Sequence, residues 1–351
     1  MNRKIFFAGE PNAGLHSKVV EAISRVNSYK DGGYRGDEET KLMEENFNRL
    51  FGRTVKSLMF SSGSAANVTG LAMMLKPWQS VICAETGHIH TYETGALQRF
   101  AGCSIELLPT ADGKISLQDV DRLLAKRPVE NIYSQPKVVF VTQPTEMGIL
   151  WRNDELKELG KYCHKHDIRL FVDGARLAQA ADKLETDLAS WTSEIGADML
   201  TWGGIKNGGL ADVLVILNEN FFTEADFVFK QIGQDVAPSR TYAASVNALL
   251  ENDLWVANAH QANNMAERLY TSLRDSKNVE FVLPVETNLL WSIIPEGLEE
   301  KLNDNFIYYQ ETNDLSLAKY RENPFFTRWV TSWATTHGEV DALVDQVNRF
   351  R

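Results

Sequence analysis

Cysteine is scarce in this chain. Cys83, Cys103 and Cys163 are the only three in 351 residues, too few and too scattered for a disulfide framework or a zinc ribbon, so they read as buried reduced thiols. Positive charge is also in deficit. Thirty-six Lys and Arg face 47 Asp and Glu, a net charge of -11, and such a balance repels polyanions and argues against nucleic acid as a partner. No apolar run approaches the roughly 18 residues that span a bilayer, and residues 1–8 are too short for a secretory signal. The expected setting is therefore cytoplasmic, with no membrane partner. Internal repeats, low-complexity tracts and Pro- or Ser-rich linkers are missing too. What is there is an ordinary globular composition, 44% hydrophobic and 24% charged, long enough for one large domain and a smaller companion.

Between about residues 57 and 217 short apolar runs alternate with amphipathic stretches, the pattern of βαβ units feeding a mainly parallel sheet. Runs rich in β-formers predict strands at 57–60, 81–83, 104–108, 138–142, 169–172, 199–202 and 213–217. Ser116 with Asp119 three residues on predicts a helix start, and Gly52 predicts the end of a helix over 38–51. Helical spacing over 245–273 predicts a linking helix, and shorter signals follow at 288–294 and 338–350. The reading is an α/β protein with a large domain over 1–245 and a smaller α+β domain over 246–351, the first 14 residues or so being able to pack with the smaller one.

The strongest local signal is Gly203-Gly204-Ile205-Lys206-Asn207-Gly208-Gly209, a lysine among glycines just after a strand. A P-loop is excluded because Ile205 precedes the lysine and Asn207 follows it; the bland alternative is a flexible glycine turn. Asp173 stands at the end of the apolar strand Arg169-Leu170-Phe171-Val172, where open α/β sheets bind ligands, although an aspartate there can also merely cap the next helix. A pyridoxal 5'-phosphate cofactor needs a lysine for a Schiff base and a carboxylate facing the pyridine nitrogen, and Lys206 and Asp173 are one such pair. Ser62-Gly63-Ser64 follows a strand and opens a helix, suiting a phosphate cup as well as an ordinary cap. His88 in Glu85-Thr86-Gly87-His88 is placed to stack on a ring or exchange a proton. Metal ligation by His88 with His90, or by His164 and His166 beside Cys163, lacks completing ligands, so no metal is expected. Arg176, Arg240 and Arg328 are the arginines able to grip a substrate carboxylate or the cofactor phosphate.

Together these segments resemble the low-specificity threonine aldolases of the aromatic amino acid β-eliminating lyase group. The likeness extends to Phe7-Ala8-Gly9-Glu10, Tyr34-Arg35-Gly36-Asp37, Asn252-Asp253-Leu254-Trp255 and Arg328-Trp329-Val330-Thr331-Ser332-Trp333, the last expected as a strand. The resemblance implies the aspartate-aminotransferase-like fold type I, pyridoxal phosphate as cofactor, and homodimers or homotetramers with active sites at subunit interfaces. It implies Lys206 as the Schiff-base lysine, Asp173 as the pyridine-nitrogen partner, and His88 as stacking residue and base. Ser62, Gly63 and Ser64 then form the cup, Arg176 and Arg328 serve cofactor and substrate, Arg240 lies near the phosphate, and Tyr34 lines the site. Three positions depart from the family pattern: Gly9-Glu10 replaces Ser-Asp, Ile205 replaces the hydroxyl residue before the lysine, and Ser64 replaces threonine.

The expected reaction is cleavage of a β-hydroxy-α-amino acid such as L-threonine or L-allo-threonine to glycine and an aldehyde. The alternatives are another pyridoxal-phosphate β-eliminating lyase, for which Gly9 is the reason, and a cofactor-binding protein without turnover.

Overall fold

The computed structural model describes residues 4–192, 194–310 and 323–350. Its centre is a seven-stranded sheet in the order Lys56–Phe60, Asp212–Ile216, Met199–Trp202, Arg169–Gly174, Gln135–Thr142, Gln79–Ala84, Ser104–Leu108. Every predicted strand is present, shifted at most three residues at an end. All pairings are parallel except those of Asp212–Ile216, which runs against both neighbours. The inner strands are apolar on both faces because helices cover both; Val138, Val139, Phe140 and Val141 are all buried. The reversal has a geometric result. Asp212, the first residue of its strand, lies at the same edge as Phe60, Thr142 and Trp202, which end theirs, and Asp173, the last but one of its own.

Helix ends follow local chemistry. Asp37 accepts the Thr40 N–H at 2.8 Å to open Glu38–Leu50, and Gly52 beyond it takes φ 62°. Ser116 accepts the Asp119 N–H at 3.1 Å and opens Leu117–Ala125. The predicted linking helix is in fact two helices, Ser239–Leu250 and Leu254–Leu273, because Asn252 and Asp253 both take positive φ. That left-handed pair cannot continue a helix.

A second core lies in the C-terminal region. It is built by Met265, Leu269, Leu290, Leu298, Phe306, Trp329 and Leu343, among others, and Phe7 from the N-terminus packs into it. The strand Ile5–Phe6 pairs in parallel with Phe306–Ile307. Helix Leu254–Leu273 passes between cores: Leu254, Trp255 and Ala259 belong to the sheet's core, and Met265 onward to the second. The expected strand at Arg328-Trp333 begins earlier and ends earlier, at Phe326–Val330. Thr331 leaves the sheet, where its hydroxyl donates to the Ala262 carbonyl at 2.6 Å. A small cluster of Met147, Ile149, Trp291 and Phe326 joins a loop of the large sheet to this strand. No helix among the described residues is long and apolar enough to cross a membrane.

Candidate active site

The sheet edge that carries Asp173 also carries Lys206. Trp202 ends its strand, and the chain turns through residues 203–211 before re-entering the sheet at Asp212. The glycines here have a different purpose from the one their composition suggests. A Cβ on Gly203 would lie 2.2 Å from the Ala175 carbonyl oxygen, and one on Gly204 would lie 2.4 Å from that of Ala211. They admit neighbouring backbone, and Gly208 at φ +85° closes the short turn Ile205–Asn207. Asp212 clamps this turn by accepting the N–H groups of Gly204 and Ile205, both at 2.9 Å. Burial pushes the Asp212 carboxyl up to about 6, although those N–H groups and Lys206 oppose the rise. Burial also lowers the Lys206 ammonium, and the charge of Arg176 adds to it; Glu10, Asp173 and Asp212 pull the other way. A lysine so placed releases its proton more readily and is a better nucleophile.

Asp173 is 2% exposed, and each of its oxygens accepts a hydrogen bond. One oxygen accepts the Ala175 N–H at 2.9 Å, and the other accepts the Asn67 amide at 2.8 Å. Asn67 also donates to Glu93 at 3.1 Å and accepts from the Thr201 hydroxyl at 2.8 Å. Glu93 in turn meets His88 Nδ1 at 2.8 Å. A carboxylate only accepts, so Nδ1 carries the hydrogen of this contact. His88 and Asp173 thus stand at the two ends of one buried polar chain. The His88 backbone N–H donates to Glu146 Oε1 at 2.7 Å, and the His88 ring lies 5.3 Å from that of Tyr92.

Arg176 is not idle. Its Nε and Nη2 donate to Glu10 at 2.6 and 3.2 Å, a two-point grip. Asn288, 278 residues away in sequence, donates to the same carboxylate at 2.8 Å. Burial alone would raise Glu10, but the charges of Arg176 and Lys206 and these hydrogen bonds hold its carboxyl at about 2. The Glu10 of the divergent Gly9-Glu10 pair is therefore what fixes the Arg176 side chain, so Arg176 is not an empty receptor for a substrate carboxylate.

The helix Gly63–Met74 starts at the same edge, and the Ser62 hydroxyl caps it by accepting the Ala65 N–H at 3.2 Å. A Cβ on Gly63 would lie 3.0 Å from Asp212 Oδ2, so this helix start abuts the lysine turn. Arg328, partly buried on its strand, donates to the Tyr92 hydroxyl at 3.0 Å and lies 4.5 Å from the Tyr309 ring centre. It reaches the His88 side of the site through Tyr92. Tyr34 and Arg240 lie elsewhere on the chain. Tyr34 is 57% exposed, beneath the Lys230 ammonium; Arg240 lies over Tyr29, and its buried Nη1 has no hydrogen-bond partner among the described residues. Neither makes a contact with Lys206, Asp173 or His88 among those described. Among the described residues no three His, Cys, Asp or Glu side chains converge as metal ligands.

The β-eliminating lyase family model matches residues 17–294. A low-specificity L-threonine aldolase from a Pseudomonas strain is 31% identical over 86% of this chain and 88% of its own. The solved Leishmania major threonine aldolase superposes with a TM-score of 0.91 at 27% identity, over 98% of this chain and 99% of that one. Sphingomonas wittichii serine palmitoyltransferase, at 14% identity and a TM-score of 0.74, covers 98% of this chain and 86% of its own and shares the fold alone. The architecture is fold type I, the α/β fold of these pyridoxal-phosphate enzymes. On the matched length and on the aldolase relatives, the chain belongs to the β-eliminating lyase family.

Proposed function

We propose that the protein is a pyridoxal-phosphate-dependent lyase that cleaves β-hydroxy-α-amino acids, L-threonine and L-allo-threonine, to glycine and acetaldehyde. The observation that carries this reading is the shared sheet edge. Lys206, whose ammonium is destabilised by burial, and the buried carboxylate of Asp173 stand there with the start of helix Gly63–Met74.

These residues fit the cofactor's chemistry. Lys206 would hold it covalently, Asp173 would keep its pyridine nitrogen protonated, and Gly63 and Ser64 with the Ser62 cap would seat its phosphate at a helix start. The buried, unpartnered Nη1 of Arg240 suits an anion, and Arg240 with Tyr34 is assigned to the site of an adjoining subunit in a homo-oligomer. When bound, the cofactor supplies an electron-accepting ring conjugated to the substrate's Cα.

The protein's part is orientation and proton handling. Arg328 would grip the substrate carboxylate and set the Cα–Cβ bond across the ring, while Arg176, tied to Glu10, lends positive charge beside it. His88 would cover the ring. Two bases stand on this side, His88 and Glu146, and one must take the β-hydroxyl proton as the bond breaks. The Thr-to-Ser change at Ser64 keeps a hydroxyl, and Asp212 holds the N–H of Ile205 where the family has a hydroxyl residue.

The test is incubation of the purified holoenzyme with each substrate, followed by assay of glycine and acetaldehyde. Absence of both products from every β-hydroxy amino acid tried refutes the reading. Pyruvate and ammonia from serine in their place assign the enzyme to β-elimination.

A further inference from the structure

The most unusual carboxyl in the cleft is one that no motif announced. Glu146 follows the strand Gln135–Thr142 in a tight turn in which the Gly148 N–H donates to the Thr145 carbonyl at 2.8 Å. The turn is braced on both sides. The Thr145 hydroxyl donates to the Asp112 carbonyl at 2.8 Å, and Met147 and Ile149 pack with Trp291 and Phe326 in the small cluster that joins this loop to the C-terminal strands. The turn that carries Glu146 is thereby held against the strand that bears Arg328.

Its two oxygens differ. Oε1 accepts the His88 N–H at 2.7 Å and the Thr142 hydroxyl at 2.6 Å. Oε2 takes no hydrogen bond from another residue among those described. Glu146 is 9% exposed, and the titratable groups around it are His88, Asp173, Arg176 and the Cys83 thiol. None of these makes an ion pair with it. Burial raises the carboxyl above its ordinary range, with Asp173 adding to the rise and Thr142 and His88 opposing it. A carboxylate that is desolvated, fixed by one oxygen and open at the other has the form of a general base.

His88 is less suited to that task. Its Nδ1 is committed to Glu93, and an imidazole laid face to face on a flat ring keeps both nitrogens in its own plane, off the face where the substrate bond must break.

We infer that Glu146 Oε2 takes the proton from the substrate's β-hydroxyl, with His88 confined to covering the ring. In this step the O–H bond breaks and its proton passes to Glu146. The oxygen's electron pair forms the aldehyde C=O, the Cα–Cβ bond breaks, and its electron pair stays with Cα until that carbon takes a proton to become glycine. Glu146 returns its proton to solvent, so no oxidant or reductant is needed. The inference rests on the aldol-cleavage reading given above.

Glu146→Gln keeps an oxygen for the His88 and Thr142 donors and tests the base alone. In the holoenzyme kcat for L-threonine should fall about 10²- to 10⁴-fold, and the acidic limb of the kcat–pH profile should vanish. KM and the dissociation constant for pyridoxal phosphate should stay within about threefold, as should exchange of the α-proton of glycine in D₂O, which has no β-hydroxyl. Glu146→Asp should recover part of kcat and keep the limb, as should His88→Phe. In apoprotein carrying ¹³C-labelled glutamate, one carboxyl should titrate above the ordinary value of about 4.3 and be absent from Glu146→Gln. The inference is overturned if Glu146→Gln keeps kcat within threefold, if glycine exchange falls in parallel with cleavage, if the limb is lost in His88→Phe instead, or if no such carboxyl is found. Wild-type enzyme that exchanges glycine but cleaves no β-hydroxy amino acid overturns the aldol reading itself, and this inference with it.

Discussion

Replacing Glu10 by glutamine removes the negative half of the buried pair with Arg176 while keeping the shape that Asn288 packs against. Glu10 is 1% exposed, so solvent screening is slight. A carboxyl held at about 2 instead of 4.5 corresponds to roughly 3 kcal/mol in favour of the charged form, at about 1.36 kcal/mol per pH unit. Because the folded value lies below the unfolded one, this contribution is complete above about pH 4.5 and is lost as the pH falls toward 2. At pH 7 the variant should be less stable than the parent by about 3 kcal/mol, near the range for breaking a buried ion pair, or about 4 °C in Tm for a chain of this size. By pH 3.5 the gap should narrow to about 2 kcal/mol. Urea unfolding of both proteins at several pH values between 7.5 and 3.5 reads this directly. A gap that is flat with pH, or that widens as the pH falls, would refute the assignment of Glu10 as a carboxylate held down by Arg176.

Lys206→Ala should abolish the visible absorption of the bound cofactor and all turnover; a variant that still absorbs after gel filtration would remove Lys206 from its role. Asp173→Asn should lower kcat at least about 10²-fold while leaving the melting temperature within a few degrees, because the amide can still accept the Ala175 N–H; unchanged kcat would count against the pyridine-nitrogen assignment. Gly9→Ser should be tolerated, since a Cβ there meets nothing nearer than 3.7 Å, and should lower KM for threonine several-fold if the restored hydroxyl reaches the substrate carboxylate. Gly203→Ala, by contrast, drives a methyl to 2.2 Å from a carbonyl oxygen and should cost about 3 kcal/mol or more, read as lost soluble yield or a lowered Tm.

The sheet was legible because its information is local. Short β-branched and aromatic runs such as Val138-Val139-Phe140-Val141 mark strands wherever they fall, and Ser116 and Gly52 mark helix ends by their own chemistry. Lys206, Asp173 and His88 stand out as candidates for a related reason: each sits in a short run whose residue types suit one group's chemistry. The partners of these residues do not. Asn67 meets Asp173 across 106 positions, and Asn288 meets Glu10 across 278; no spacing rule joins them. Glu93 lies five positions after His88, a separation that a one-turn helix brings into contact only because Tyr92 ends it. The partner of Arg176 was equally hidden, since its sequence context gives no sign that Glu10 pairs with it. The kink at Asn252–Asp253 was missed because neither residue breaks the apolar period, although both types accept left-handed backbone.

The reversed strand Asp212–Ile216 turns residues 203–211 into a bracket whose two ends are bonded to each other through the adjacent strands Met199–Trp202 and Asp212–Ile216. The entropy of closing that loop is met by sheet formation and not by catalysis. As the proposed Schiff-base lysine, Lys206 would therefore act from a tether whose resting position is set before any ligand arrives, so that forming its covalent bond would be an intramolecular event at high effective concentration.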